Sequence, residues 1–207
     1  MKNNLLSATL IALLAVPAFA HDAGDIIVRA GAAMVAPNDS SDDVVGIGEF
    51  GVDDNTQLGL NVTYMVTDHW AVELLAATPF SHNVSLPGVG DIAKLKHLPP
   101  TLVGQYYFGD GKLRPYVGAG INMTVFFDEQ FSNDLDGALT DLDVDTSFGL
   151  AAQVGVDYQL NQHWLLNASV WYADIGTDVN FKLGGTDLSI DTDIDPWVYM
   201  VSVGYVF

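Results

Sequence analysis

Four charged residues stand alone inside otherwise mild, alternating stretches. They are Arg29 in "DIIVRAGAAMVAP", Glu73 in "WAVELLAATP", Arg114 in "LRPYVGAGINMTVFF" and Asp157 in "SFGLAAQVGVDYQL". Two guanidinium groups and two carboxylates can neutralise one another in an interior, where an unpaired charge is costly. Such a cluster would close a lumen. It is structural chemistry before it is catalytic.

Covalent chemistry needs a nucleophile with a base in reach. The histidines are His21, His69, His82, His97 and His163. His69 and His163 fall in short turns, and His82 and His97 flank a long connection. Ser81 and His82 are neighbours, but consecutive side chains of an extended segment point to opposite sides. Ser85 with His97 is the remaining pairing, so no catalytic residue is assigned and an enzyme is not expected. Lipid A modification stays a minor alternative. "DLDVDTS" places Asp141, Asp143 and Asp145 at alternate positions. Its sixth position is Thr146 and its twelfth Ala152, where a calcium loop of the EF-hand type needs Gly and Glu. With no cysteine in the chain either, no metal site and no cofactor is assigned.

The elements that carry these residues are strands. Side chains of a strand alternate between faces with a period of two, and eight segments keep that period. In the last, "PWVYMVSVGYVF", Trp197, Tyr199, Val201, Val203, Tyr205 and Phe207 share one face, opposite Val198, Met200, Ser202, Gly204 and Val206. The second sets Leu58, Leu60, Val62 and Tyr64 opposite Gln57, Gly59, Asn61 and Thr63. In every segment one face is apolar almost without interruption, while the other is mostly Gly, Ser, Thr, Asn and Gln. A soluble sandwich or lipocalin-like barrel would instead turn a charged face outward.

The connections alternate in length. Residues 67–69, 109–112 and 161–163 are short turns, whereas roughly 37–54, 79–98, 128–145 and 173–196 are long. Of 26 Asp and Glu, 20 lie in the four long connections. Tight turns at one end, long loops at the other and aromatic residues at strand ends describe a transmembrane barrel. The expected fold is therefore all-β: an eight-stranded antiparallel transmembrane β-barrel with short periplasmic turns and four long extracellular loops. Lipid offers no partner for a free amide, so the sheet must close.

The N-terminus "MKNNLLSATLIALLAVPAFA" has the charged start, short apolar run and small-x-small end of a secretory signal peptide. Residues 1–20 are expected to be cleaved and 21–207 to form the barrel. The rest has no apolar run long enough for a helical span. A formal net charge of −19 argues against nucleic acid, whose phosphates call for basic patches.

Several blocks resemble the outer membrane protein W (OmpW) family: "VELLAATPF" (72–80), "HLPPT" (97–101), "RPYVGAGIN" (114–122), "VGVDYQLNQHWLLNASVWY" (154–172) and "DPWVYMVSVGYVF" (195–207). The resemblance covers nearly the whole chain after residue 20. It implies a barrel in the outer membrane of a Gram-negative bacterium that passes small hydrophobic molecules, and it implies an apolar lumen lining at Leu75 and Trp171.

Parity and strand direction place the inward residues by depth. Arg29, Glu73, Arg114 and Asp157 are expected near the periplasmic end as an ionic cluster. Leu75, Val103, Trp171 and Met200 are expected above it as a hydrophobic lining. An eight-stranded barrel holds little beyond its own side chains or one small ligand, so the expected activity is passage or binding of a small hydrophobic ligand, with lateral release into the membrane. A structural or surface-interaction barrel without transport is the alternative. Tyr205 and Phe207 are expected to be the assembly signal read by the barrel-insertion machinery. Outer-membrane lipids and lipopolysaccharide are expected partners, bridged to the acidic loops by divalent cations.

Overall fold

A computed structural model describes residues 21–207; the expected signal peptide, 1–20, lies outside the described residues. In chain order the strands are β1 (Ile26–Ala36), β2 (Ser40–Ser41), β3 (Gly51–Val52), β4 (Asn55–Met65), β5 (Trp70–Ala77), β6 (Phe80–Leu86), β7 (Gly90–Leu98) and β8 (Thr101–Tyr107). They continue with β9 (Leu113–Phe131), β10 (Leu139–Val144), β11 (Ser147–Gln159), β12 (Trp164–Ala173), β13 (Gly176–Leu183), β14 (Thr186–Asp193) and β15 (Trp197–Val206).

Eight of these close a barrel in the order β1, β4, β5, β8, β9, β11, β12, β15 and back to β1, every pair antiparallel. Two ladders complete the ring. β9 meets β11 from Leu113↔Tyr158 to Thr124↔Ser147, and β15 meets β1 from Val206↔Ile27 to Trp197↔Ala36. With the ring closed, the period-two pattern becomes an inside and an outside. Leu60, Val62, Leu74, Ile121, Val154 and Val201 are exposed on the outer face, while Asn61, Thr63, Glu73, Gln105, Asn122 and Gln153 are buried within.

The four long connections join the ends of the barrel strands as expected, and they carry further strands of their own. β6 and β7 form a hairpin, with β7 continuing onto the far end of β9 and β3 pairing β6. β13 and β14 form a second hairpin, extended into a four-stranded sheet by β10 and β2. These strands were hidden because their alternation is inverted. In β6, Ser81, Asn83 and Ser85 face outward, whereas Phe80, His82, Val84 and Leu86 face inward. An outward polar face belongs in water and an outward apolar face in hydrocarbon, so the inversion marks the level at which the wall leaves the membrane. Inside the extension Phe50, Leu86, Ile92, Phe126, Phe181 and Ile190 form one apolar core.

The lower interior is packed tightly enough to require glycine at one point. A Cβ on Gly155 would sit 2.4 Å from the Tyr116 phenol oxygen. Gly155→Val is expected to push that ring aside and to cost about 1–3 kcal/mol. Urea unfolding from lipid vesicles, followed by tryptophan fluorescence, measures the loss.

Candidate functional site

The lumen has two zones of opposite chemistry. Toward the short turns lies an ionic plug centred on Arg29, which is fully buried with Glu73 and Asp157. Arg29 Nη1 donates to Glu73 Oε2 at 2.8 Å and to Thr63 Oγ1 at 2.6 Å. Its Nη2 donates to Asp157 Oδ2 at 2.5 Å and to the Tyr107 hydroxyl at 2.9 Å. The remaining carboxylate oxygens are also used: Gln153 Nε2 donates to Glu73 Oε1 at 3.0 Å, and Asn167 Nδ2 to Asp157 Oδ1 at 2.8 Å. One cation thus faces two carboxylates contributed by strands on different sides of the ring.

Arg114 stands near this cluster but pairs with neither carboxylate. Its guanidinium donates to the backbone carbonyls of Gly109, His21 and Asp68, and it lies 5.2 Å over the Tyr107 ring. Arg114 therefore ties together two short turns and the start of the described chain, rather than joining the ion pairs. Sequence parity could give its side but not its partners. His21 is the member that parity could not supply at all. It is buried, with Nε2 3.1 Å from Asp157 Oδ2.

Above the plug lies an apolar layer, with Thr101 and Asn122 as polar neighbours. Leu75, Val103, Trp171 and Met200 are all buried in one cluster with Phe80 and Val198. A cavity of about 30 Å³ in this layer is bordered by Leu75, Trp171, Phe80, His97, Pro99 and Ala76. A second cavity of about 80 Å³, in the core of the extension, is bordered by Phe50, Leu95, Phe126, Leu139, Phe181 and Ile194.

The wall beside the smaller cavity is incomplete. β5 pairs with β8 from Trp70↔Tyr106 up to Leu75↔Thr101, and pairing resumes only at Phe80↔His97 between β6 and β7. Between these rungs, residues 76–79 face 98–100 without a ladder among the described residues. Pro79, Pro99 and Pro100 lie in this stretch, and proline has no amide hydrogen to give. The cavity reaches Ala76, whose side chain is exposed on the outer face, so it extends into the wall at this gap. Leu102, Leu74 and Met123, exposed just below or beside it, place the gap at the upper edge of the apolar band.

A histidine pair forms the roof. His82 and His97 are buried, with their Nε2 atoms 3.0 Å apart. Their strand neighbours Ser81, Asn83, Lys94 and Lys96 face outward, so the pair sits above the apolar band. Burial holds the His97 imidazole down to about 3, with repulsion from His82 second. Burial also lowers His82, partly offset by the Asp53 carbonyl and by the Asp53 and Asp54 carboxylates.

The remaining candidates separate. Ser85 Oγ, on the outer side of β6, donates to the Gly51 carbonyl, while His97 points inward, so the one conceivable serine–histidine pairing is not assembled. Asp141 pairs with Lys182 at 2.8 Å. No group of three or more side chains suited to holding a metal occurs among the described residues. Tyr205 packs on the outer face edge-on to Trp164 and Phe207, with ring centroids at 5.0 and 4.7 Å.

Known proteins of similar shape and sequence bear on this geometry. The sequence model of the OmpW family matches residues 22–207. Outer membrane protein W of Vibrio cholerae is 54% identical, over 97% of this chain and 96% of its own. The crystal structure of the outer membrane protein OprG from Pseudomonas aeruginosa superposes with a TM-score of 0.86 at 44% identity, covering 91% of this chain and 98% of that one. A more distant relative, the dibenzothiophene metabolism operon protein PahQ of Pseudomonas aeruginosa, is 27% identical over 74% of this chain and 72% of its own.

Two measurements test the zones. Removing the Arg29 guanidinium strands two buried carboxylates, so Arg29→Met is expected to cost roughly 3–5 kcal/mol in vesicle unfolding. Adding Glu73→Gln and Asp157→Asn should recover most of that loss. The histidine pair is neutral in the fold but protonates readily when released. The folded value lies below the ordinary 6.5, so stability is present above pH 6.5 and drains away as pH falls toward about 3. Amide protection factors in β6 and β7 are expected to fall across that window before those of β1 and β15.

Proposed function

The chain belongs to the OmpW family, and from that premise we propose that it is an outer-membrane barrel that passes small hydrophobic molecules and releases them sideways into the membrane. They enter at the end with the long connections, which faces outside the cell. They cross the apolar interior past Phe126, Leu75 and Trp171, and leave through the gap between residues 76–79 and 98–100. The short turns then face the periplasm.

The observation that carries this reading is the unpaired wall beside an apolar cavity and above an ionic plug. A hydrated solute finds no straight route, because the plug residues fill the lower lumen and would have to be separated and rehydrated. An apolar molecule loses little in the upper chamber, where water competes poorly, and gains about 25 cal/mol per Å² of surface taken from water. Its exit lies against hydrocarbon, so it need never return to water. The name of the PahQ relative, tied to metabolism of the aromatic compound dibenzothiophene, is consistent with an apolar cargo. Leu75, Val103, Trp171 and Met200 are the proposed lining.

Uptake of the dye N-phenylnaphthylamine by Gram-negative cells carrying the protein tests the route. Leu75→Lys puts a charge into the apolar passage and is expected to reduce uptake by about tenfold or more. Pro99→Val with Pro100→Val returns two amide donors to the gap and is expected to slow uptake without altering heat-shifted mobility on gels. Equal uptake by wild type, both variants and cells lacking the protein would rule the passage out.

A further inference from the structure

The cavity of about 80 Å³ in the extension reaches solvent, because three of the residues that border it are partly in water. Val45 is 58% exposed, Ile47 46% and Leu135 39%. A side chain that both borders an interior cavity and meets solvent stands at its rim. Two turns build this rim. In 43–48, Val44 N donates to the Gly48 carbonyl, Ile47 N to the Val44 carbonyl and Gly46 N to Asp43 Oδ2. In 133–139, Leu139 N donates to the Asp134 carbonyl and Leu135 N to Asn133 Oδ1. Each turn holds a bulky apolar residue in the left-handed region of the backbone, Val45 at φ 56° and Leu135 at φ 52°. The Cβ crowds the backbone there, so glycine or asparagine is the usual occupant and a branched side chain is strained. Strain of this kind gathers at ligand clamps. Here it sets two apolar side chains at the mouth of an apolar cavity.

No bordering side chain among the described residues is left in want of a hydrogen bond. Thr177 Oγ1 donates to the Asp145 carbonyl at 2.6 Å and Thr192 Oγ1 to the Ile190 carbonyl at 3.3 Å, and every other bordering side chain is apolar. Water is a poor occupant of such a space, since each molecule needs two or more polar partners. A volume of about 80 Å³ is on the order of six times what one water requires, room for one small ring or a short alkyl chain. The rim is flanked by the exposed carboxylates of Asp43, Glu49, Asp134 and Asp136, which repel anions. No residue borders both this cavity and the smaller one below. Between them the His97 ring lies against Phe80 and Phe126, with centroids 5.4 and 5.9 Å away, so the upper cavity can fill before the lower.

We infer that this cavity is a capture site for small neutral hydrocarbons, molecules without any hydrogen-bonding group, which it takes directly from water through the rim of Val45, Ile47 and Leu135. The inference rests on the interior being a hydrophobic passage and names the place where its cargo first binds. An aromatic hydrocarbon or a short alkane gains by leaving water and gives up no hydrogen bond on entry. An alcohol or phenol gives up those its hydroxyl makes outside. A carboxylate is opposed twice, by the acidic flanks and by the burial of its charge.

Toluene, phenol and benzoate titrated into the full chain in lipid nanodiscs, with isotope-labelled methyl groups observed by NMR, test the assignment. Toluene is expected to shift Leu139 and Ile92 saturably and to reach half-saturation there at a lower concentration than at Leu75. Phenol, compared at matched mole fraction in the lipid, should need roughly tenfold more, and benzoate should shift none of the three. Val45→Asn with Leu135→Asn installs a residue at ease in a left-handed backbone, so both turns should persist, and the amide resonances of the two turns check that they do. This double variant should weaken toluene binding at Leu139 by about fivefold or more. If phenol or benzoate matches toluene, the hydrocarbon selectivity is wrong. If the double variant binds toluene at Leu139 as wild type does, the rim is wrong. If toluene moves Leu75 but neither Leu139 nor Ile92, the capture site fails while the passage stands. If it moves none of them, the hydrophobic passage itself fails and this inference with it.

Discussion

An amide in hydrocarbon has nothing to bond to except another part of the chain. That requirement closes the ladder from β1 round to β15, because an edge strand would leave a row of donors and acceptors in lipid. It also makes any interruption of the ladder conspicuous. The interruption here falls where Pro79, Pro99 and Pro100 meet, residues that have no donor to leave unpaired. The wall can therefore part at that height at a lower cost than elsewhere. The same constraint that seals the barrel over most of its circumference determines where it can be open.

A second consequence is the polarity gradient along the axis. Outside, the wall changes from apolar to polar as it rises out of the membrane. Inside, the order is reversed, from Arg29, Glu73 and Asp157 at the level of the membrane to Phe50, Phe126 and Phe181 in the extension. The plug is held by hydrogen bonds to all four oxygens of Glu73 and Asp157, three of them from non-adjacent strands and one from the neighbouring strand, which keeps two buried anions tolerable. The extension is held as a soluble protein is, by burying side chains between two sheets. Under the proposed function, an apolar guest is at home only in the upper part.

The two buried polar networks end differently. The plug spends its hydrogen bonds internally. The histidine pair passes a proton arrangement from the Asp53 carbonyl through His82 to His97 and ends on an unused acceptor. One network is a floor. The other ends on a buried acceptor above the apolar layer.

The alternation of side chains was legible in the residues alone, since a strand between lipid and lumen must repeat every two positions. Eight strands, their membrane faces and the inward direction of Arg29, Glu73, Asp157, Leu75 and Trp171 followed from that period. The hairpins at 80–98 and 176–193 did not, because above the membrane water replaces lipid and the outward pattern reverses. Arg114 could be placed on a face but not given partners, since its guanidinium reaches backbone carbonyls that any sequence possesses. His82 and His97 were visible as residues flanking one connection, and the three prolines were visible as prolines. Only the register of β6 on β7 and of β5 on β8 sets the two rings edge to edge and the prolines across from unpaired strand. Periodicity fixes which way a side chain points, but the meeting of residues from separate strands is decided by pairing, and pairing is a property of the closed sheet.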